Sequence, residues 1–123
     1  MRLVKQRHRH DCGVAIVAII ANCSYERALG AVFPDKQPRQ LWTTTGRLVR
    51  ALARLGIRSE ERLKPISPRG YAKLNCDAIL MVDRDPGGST WHWCVWDSKR
   101  NRVLDPLRLD RRWPRALAYL AVY

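Results

Sequence analysis

The spacing of hydrophobic and polar positions changes half-way along the chain. Apolar residues follow helical spacing over three stretches of the first half, at about 12–22, 24–32 and 45–56. Short apolar runs bounded by turn residues predict strands in the second half, at 78–82, 91–97 and 102–105. Because helices come first and strands follow, we predict an α+β fold in which N-terminal helices pack on a C-terminal antiparallel sheet.

The ends of several elements are marked by particular residues. Asp11 is the predicted N-cap of the first helix and Asn22 its end, and the helix is apolar on nearly every side, as a central helix should be. Polar residues 98–101 join the last two predicted strands as an antiparallel hairpin. Residues 113–120 could form a short helix opened by Pro114 or a final strand, and we favour the helix.

Length and charge narrow the class of protein. A chain of 123 residues with 46% apolar residues should form a single domain, residues 1–123, with a sizeable core. Its 23 Lys and Arg against 11 Asp and Glu give a net charge of +12. This excess favours acidic partners, whether an acidic protein or peptide, a nucleic acid or an anionic surface.

The cysteines and the apolar runs bear on location. The chain has four cysteines, Cys12, Cys23, Cys76 and Cys94. They form no CxxC pair, which argues against a zinc ribbon or a thioredoxin-like motif. The longest apolar run, 13–21, is too short to cross a bilayer. We therefore expect a reduced, cytoplasmic protein without a membrane span, cofactor or metal, and the oligomeric state stays open.

One cysteine stands at the start of the first predicted helix. A thiol is a good nucleophile only as thiolate, and the free N–H groups and dipole of a helix N-terminus favour that form. Downstream of Cys12 the chain offers one base, His92, and then Asp105. Cysteine, histidine and an orienting acid are the parts of a thiol-dependent acyl-transfer site.

Five segments in a fixed order carry a resemblance to a known family. They are Gln6, Asp11-Cys12-Gly13-Val14-Ala15 at a helix start, Leu55-Gly56-Ile57 at a helix end, His92-Trp93 on a strand, and Asp105-Pro106 after the next strand. In this order and spacing the chain resembles the bacteriocin-processing leader-peptidase group of papain-like cysteine peptidases.

The resemblance implies a papain-like fold and a role for each matching residue. Cys12 would be the nucleophile, His92 the general base and acid, and Asp105 the group that orients His92. Gln6 would donate its side-chain amide to an oxyanion hole completed by the backbone N–H of Cys12. The predicted function is a cysteine-dependent hydrolase, a peptidase, isopeptidase or deamidase, that acts on a protein or peptide.

Each residue of this set also has a structural interpretation. Cys12 could be a buried core thiol, and His92 an ordinary strand histidine walled by tryptophans. Asp105 could be only a turn residue before Pro106, and Gln6 a solvated side chain. Cys23, Cys76 and Cys94 are interpreted as structural.

A metal site is a further alternative. His8, His10 and Cys12 alternate, so an extended segment would place all three on one face, with His92 as a fourth ligand. The pattern is short and lacks a second cysteine or histidine cluster, so we expect no metal there.

Two groups of residues outside the set could bind a partner. Arg47, Arg50 and Arg54 share one face of the third predicted helix, either as a solvated face or as a docking surface for an acidic protein or nucleic acid. Trp91 and Trp93 could line a substrate groove or stack on bases, although a place in the core is preferred. The alternative function is therefore a disused peptidase-like fold that acts as a basic binding or inhibitor protein.

Overall fold

A computed structural model describes residues 1–107 and 113–123. The helices of this part of the chain are α1 (Cys12–Ala21), α2 (Tyr25–Val32) and α3 (Thr45–Arg54), with a 3₁₀ turn at Gly70–Lys73. Its strands are β1 (Lys64–Pro65), β2 (Asp77–Val82), β3 (His92–Asp97), β4 (Arg102–Leu104) and β5 (Ala116–Val122). Helices followed by an antiparallel sheet confirm the predicted α+β class.

The strands form one sheet in the order β1-β5-β2-β3-β4, and every neighbouring pair is antiparallel. The predicted hairpin is present, since β3 and β4 pair with Trp96 opposite Val103. β5 lies between β1 and β2 and pairs with β2 over most of its length.

The prediction of a helix at 113–120 is wrong. This segment contains β5 instead, while residues 108–112, which precede it, lie outside the described part of the chain. The sequence Ala116-Leu117-Ala118-Tyr119-Leu120 favours a helix by intrinsic propensity. Pairing with strands on both sides supplies backbone hydrogen bonds and buries Leu120, so tertiary contacts override that preference.

Alternation along β3 separates two apolar clusters. Trp93 and Val95 point to the face covered by the helices, where α1 packs. Cys94 and Trp96 point to the other face. Because side chains alternate along a strand, His92, the first residue of β3, shares the face of Cys94.

The two ends of α1 differ in how well the sequence predicts them. Asn22 ends the helix in a left-handed conformation (φ 52°), as predicted. Asp11 occupies the N-cap position, but its side chain makes no capping bond to α1. Its buried carboxylate instead accepts hydrogen bonds from the backbone N–H groups of Arg7 (2.8 Å) and His8 (3.0 Å) and from the hydroxyl of Tyr25 (2.6 Å). Asp11 therefore ties the preceding loop to α2.

Two of the three arginines on α3 serve the neighbouring helix. Arg54 donates to the carbonyl of Ala31 (2.7 Å) and Arg47 to the carbonyl of Val32 (3.0 Å). Both carbonyls lie in the last turn of α2, where no helical N–H reaches them. Arg47 also lies over the ring of Phe33. These arginines cap α2.

This capping role predicts a stability difference between neighbouring arginines. Arg54→Gln should lower the free energy of unfolding by about 1 kcal/mol, because a charge-assisted hydrogen bond to a helix carbonyl is lost. Exposed Arg50 is the matched control on the same helix, and Arg50→Gln should leave stability unchanged. Urea unfolding followed by circular dichroism measures both, and equal losses would contradict the capping role.

Within residues 1–107 and 113–123, no single helix has the length and apolar composition to cross a membrane. α1 and α2 meet that criterion only as a pair bent by 113°.

Candidate active site

Cys12 is the first residue of α1. The first N–H groups of a helix have no helical acceptor, so this position offers hydrogen-bond donors and the positive end of the dipole. The Cys12 side chain is only 5% exposed, yet it borders an open cleft. Cys12 therefore lies where the core meets the cleft.

His92 and Asp105 form a close pair. The Nε2 atom of His92 lies 2.6 Å from Oδ1 of Asp105, whose carboxylate is buried. The backbone N–H of Leu107 donates to the same oxygen (2.8 Å), which holds the carboxylate in place. Since Nε2 is occupied by Asp105, Nδ1 is the ring nitrogen left to serve a thiol.

The protonated form of His92 is strongly favoured. Burial disfavours the charge, but hydrogen bonds shared with Asp105 and with the thiols of Cys12 and Cys94 outweigh burial and raise the pKa of His92 to about 12, from an ordinary value of 6.5. The His92 imidazole also makes a hydrogen bond with the Cys12 thiol. The structure thus brings together Cys12, His92 and Asp105.

Gln6 reaches the same region through its backbone. Its N–H donates to the carbonyl of Pro106 (3.1 Å), next to Asp105. The side-chain amide donates to the carbonyls of His8 (2.8 Å) and Arg9 (3.3 Å), and the amide oxygen is buried without a partner among the described residues. In this arrangement the amide N–H₂ shapes the loop before Cys12, and its assignment to an oxyanion hole stays a prediction.

Cys94 is a site residue that sequence reasoning missed. Packing alone was expected to explain it, but its thiol contributes to the hydrogen bonding around His92. His92, Cys94 and Asp105 have ligand-type atoms within 4.8 Å of one another. The signal was available, since residues two apart on a strand share a face.

The predicted alternation of His8, His10 and Cys12 on one face is wrong. Residues 7–10 bend rather than extend, because Asp11 and Gln6 bind the loop backbone. His10 stacks on Trp42 with ring centroids 3.9 Å apart. Among the described residues, the ligand-type cluster is that of His92, Cys94 and Asp105.

A cleft of about 560 Å³ opens beside Cys12, and we call it the tryptophan cleft. Its lining includes Cys12, His10, Trp42, Thr43, Trp91 and Trp93. Trp91 and Trp93 meet edge to face at 5.6 Å. Trp93 is 2% exposed and belongs to the core as preferred, but both tryptophans also line this groove.

Gly13 is required by the wall of the tryptophan cleft. A Cβ atom at position 13 would lie 2.0 Å from Oγ1 of Thr43 and 2.8 Å from its Cβ. Thr43 Oγ1 in turn accepts a hydrogen bond from Nε1 of Trp93 (3.1 Å). A glycine after the cysteine therefore lets the loop before α3 pack against the start of α1.

Comparisons of the chain with known protein families and with curated protein sequences find no match.

Proposed function

We propose that the protein is a papain-like, cysteine-dependent hydrolase that acts on an amide bond of a protein or peptide. The observation that carries this proposal is Cys12 at a helix N-terminus, in contact with a protonated His92 that is paired with buried Asp105, beside an open cleft. Together these three residues would supply the nucleophile, the base and the orienting acid of a Cys-His-Asp site.

The reaction would proceed by two acyl transfers. The Cys12 thiolate attacks the carbonyl carbon, His92 gives its proton to the leaving amine, and a thioester to Cys12 forms. Water then attacks the thioester while His92 takes its proton, which releases the acid and restores the Cys12 thiolate beside protonated His92. The backbone N–H of Cys12, at the start of α1, and the side-chain amide of Gln6 would donate to the developing oxyanion.

The activated thiol can be tested without knowing the substrate. In the native protein at neutral pH, iodoacetamide should alkylate Cys12 about tenfold faster than any other cysteine, because only Cys12 contacts both a helix N-terminus and the cleft. Peptide mapping by mass spectrometry gives a rate for each thiol. Partly exposed Cys23 is the internal reference, and burial raises the pKa of Cys76, which slows its reaction. Similar slow rates at all four cysteines would overturn the proposal.

A trapping experiment addresses the substrate itself. Cys12→Ala protein, which lacks the nucleophile, should retain bound proteins from a lysate, and native protein should then cut them at new termini that mass spectrometry identifies. Captured proteins that native protein leaves intact would contradict hydrolysis.

The alternative function is a basic binding or inhibitor protein with a disused peptidase-like fold. It would bind an acidic protein or a nucleic acid, and it rests on the net charge of +12. Of its three candidate arginines, Arg47 and Arg54 are already bonded to α2, while Arg50 is exposed. Their engagement makes a docking role for this face less favourable, and we favour the hydrolase.

A further inference from the structure

A second cleft adjoins the tryptophan cleft and is basic, so we call it the basic cleft. It measures about 280 Å³, and its lining includes His8, Arg9, His10, Arg39 and Gln40. Neither aspartate nor glutamate is among the lining residues. The basic cleft therefore offers cationic and neutral polar groups to anything bound there.

A thin wall separates the two clefts. His10 lines both of them and stacks on Trp42. Nε1 of Trp42, which lines the tryptophan cleft, donates to Oε1 of Gln40, which lines the basic cleft (3.0 Å), so these two side chains also belong to the wall. A single extended peptide that reaches Cys12 can place neighbouring side chains on opposite sides of this wall.

One side of the basic cleft, the loop that carries His8 and Arg9, is held in shape by hydrogen bonds to its backbone. Asp11 accepts the N–H groups of Arg7 and His8, and the Gln6 amide donates to the carbonyls of His8 and Arg9. These bonds satisfy the loop backbone and leave the side chains to present their charge outward. A preorganised loop loses little entropy on binding.

Arg9 and Arg39, which line the basic cleft, differ from nearby Arg7 in their salt bridges. Arg7 forms a salt bridge with Glu26 (2.7 Å). Among the described residues, exposed Arg9 and Arg39 enter no salt bridge. Their charges are thus available, in a concave site, next to the proposed nucleophile.

We propose that the basic cleft binds an acidic side chain of the substrate, close to the bond that is cut, while an apolar side chain occupies the tryptophan cleft. The inference rests on the proposed hydrolase function. A carboxylate suits the site because arginine forks bind it through paired charge-assisted hydrogen bonds. The substrate class is then a peptide segment with an acidic residue near an apolar one.

An internally quenched peptide library in which one position at a time is fixed as Glu or Gln tests this assignment. Native protein should cut the Glu pool about tenfold faster than the Gln pool at one position. In Arg9→Gln/Arg39→Gln protein the Glu-to-Gln ratio should fall to about one. The matched control, Arg62→Gln/Lys73→Gln, also removes two charges but lines neither cleft, and it should keep the native ratio.

The outcomes separate this inference from the proposed function. Cleavage without preference for Glu, or equal loss of preference in both double variants, overturns the inference and leaves the hydrolase intact. If native protein cuts no pool, the hydrolase proposal fails, and binding then decides the inference. Fluorescence anisotropy with Cys12→Ala protein should show tighter binding of a labelled Glu pool than of its Gln counterpart. Binding of labelled single-stranded DNA that needs Arg9 and Arg39, without preference for Glu, would instead assign the cleft to nucleic acid.

Discussion

His92→Ala is expected to slow the alkylation of Cys12 at pH 7 by roughly ten- to thirtyfold, since an ordinary cysteine is only a few per cent thiolate at that pH. This variant removes the imidazole that makes a hydrogen bond with the Cys12 thiol. Hydrolysis of a trapped substrate should fall further, by roughly 10²–10⁴-fold, because proton transfer to the leaving amine is lost as well. Mass-spectrometric alkylation rates and product yields measure the two effects. An unchanged alkylation rate would contradict the pairing of Cys12 with His92.

Asp105→Asn tests the contribution of the Asp105 carboxylate to the charge of His92. The variant keeps the shape of the side chain but removes the charge 2.6 Å from the ring, so the pKa of His92 should drop from about 12 towards its ordinary value of 6.5. In native protein the His92 ring signal in NMR spectra should not titrate between about pH 6 and pH 9, whereas in the variant it should. Exposed Glu61 gives a control that removes one negative charge elsewhere, Glu61→Gln.

The same shift fixes the sign of a pH effect on stability. Because the folded-state pKa of His92 lies above its unfolded value, its contribution is complete below about pH 6.5 and is lost as the pH rises towards about 12. The free energy of unfolding should therefore decline as pH rises above neutrality, and decline less in Asp105→Asn protein. A steeper decline in the variant would show that Asp105 does not sustain the charge.

Gly13→Ala is expected to damage both stability and the site. The new methyl group would overlap three atoms of Thr43, including its Cβ, so rotation of that side chain cannot relieve the contact. The loop that carries Trp42 and Thr43 must move, at a cost of roughly 1–3 kcal/mol. Thermal unfolding and the alkylation rate of Cys12 measure the two consequences.

Two further variants make the Gly13 prediction specific. Gly30 lies within α2 with open space around it, so Gly30→Ala should be neutral or stabilising by about 0.5–1 kcal/mol. Thr43→Gly removes the overlapping atoms and should restore part of the stability lost in Gly13→Ala protein, so the two changes should not add. Additive losses would show that another contact is responsible.

The helices and most strands follow from local patterns, and the errors have physical causes. α1, α2 and α3 end within a few residues of their predicted limits because caps such as Ser24 and Asn22 act locally. β5 was mistaken for a helix because its place depends on pairing with β2 and β1, which no local signal encodes.

In the candidate site, too, some contacts could be predicted from the sequence and others could not. The proximity of His92 to Asp105 could be predicted, since a hairpin places the start of one strand beside the end of the next. The contributions of Trp42 and Thr43 could not, because residues 33–44 have no periodicity from which a fold-back onto α1 could be read. The capping role of Arg47 and Arg54 was hidden for a similar reason, since a charged helix face and a face that caps a neighbour have the same pattern.

The backbone hydrogen bond from Gln6 to Pro106 joins segments that are a hundred residues apart. The surroundings of Cys12 therefore depend on residues that are synthesised much later. Cys12 leaves the ribosome long before His92 and Asp105 exist, and β5, which completes the middle of the sheet, is made after both. Contacts of such long range form late in folding. In a nascent chain Cys12 would therefore lack both partners through most of synthesis, and the proposed site would assemble only once the sheet has closed.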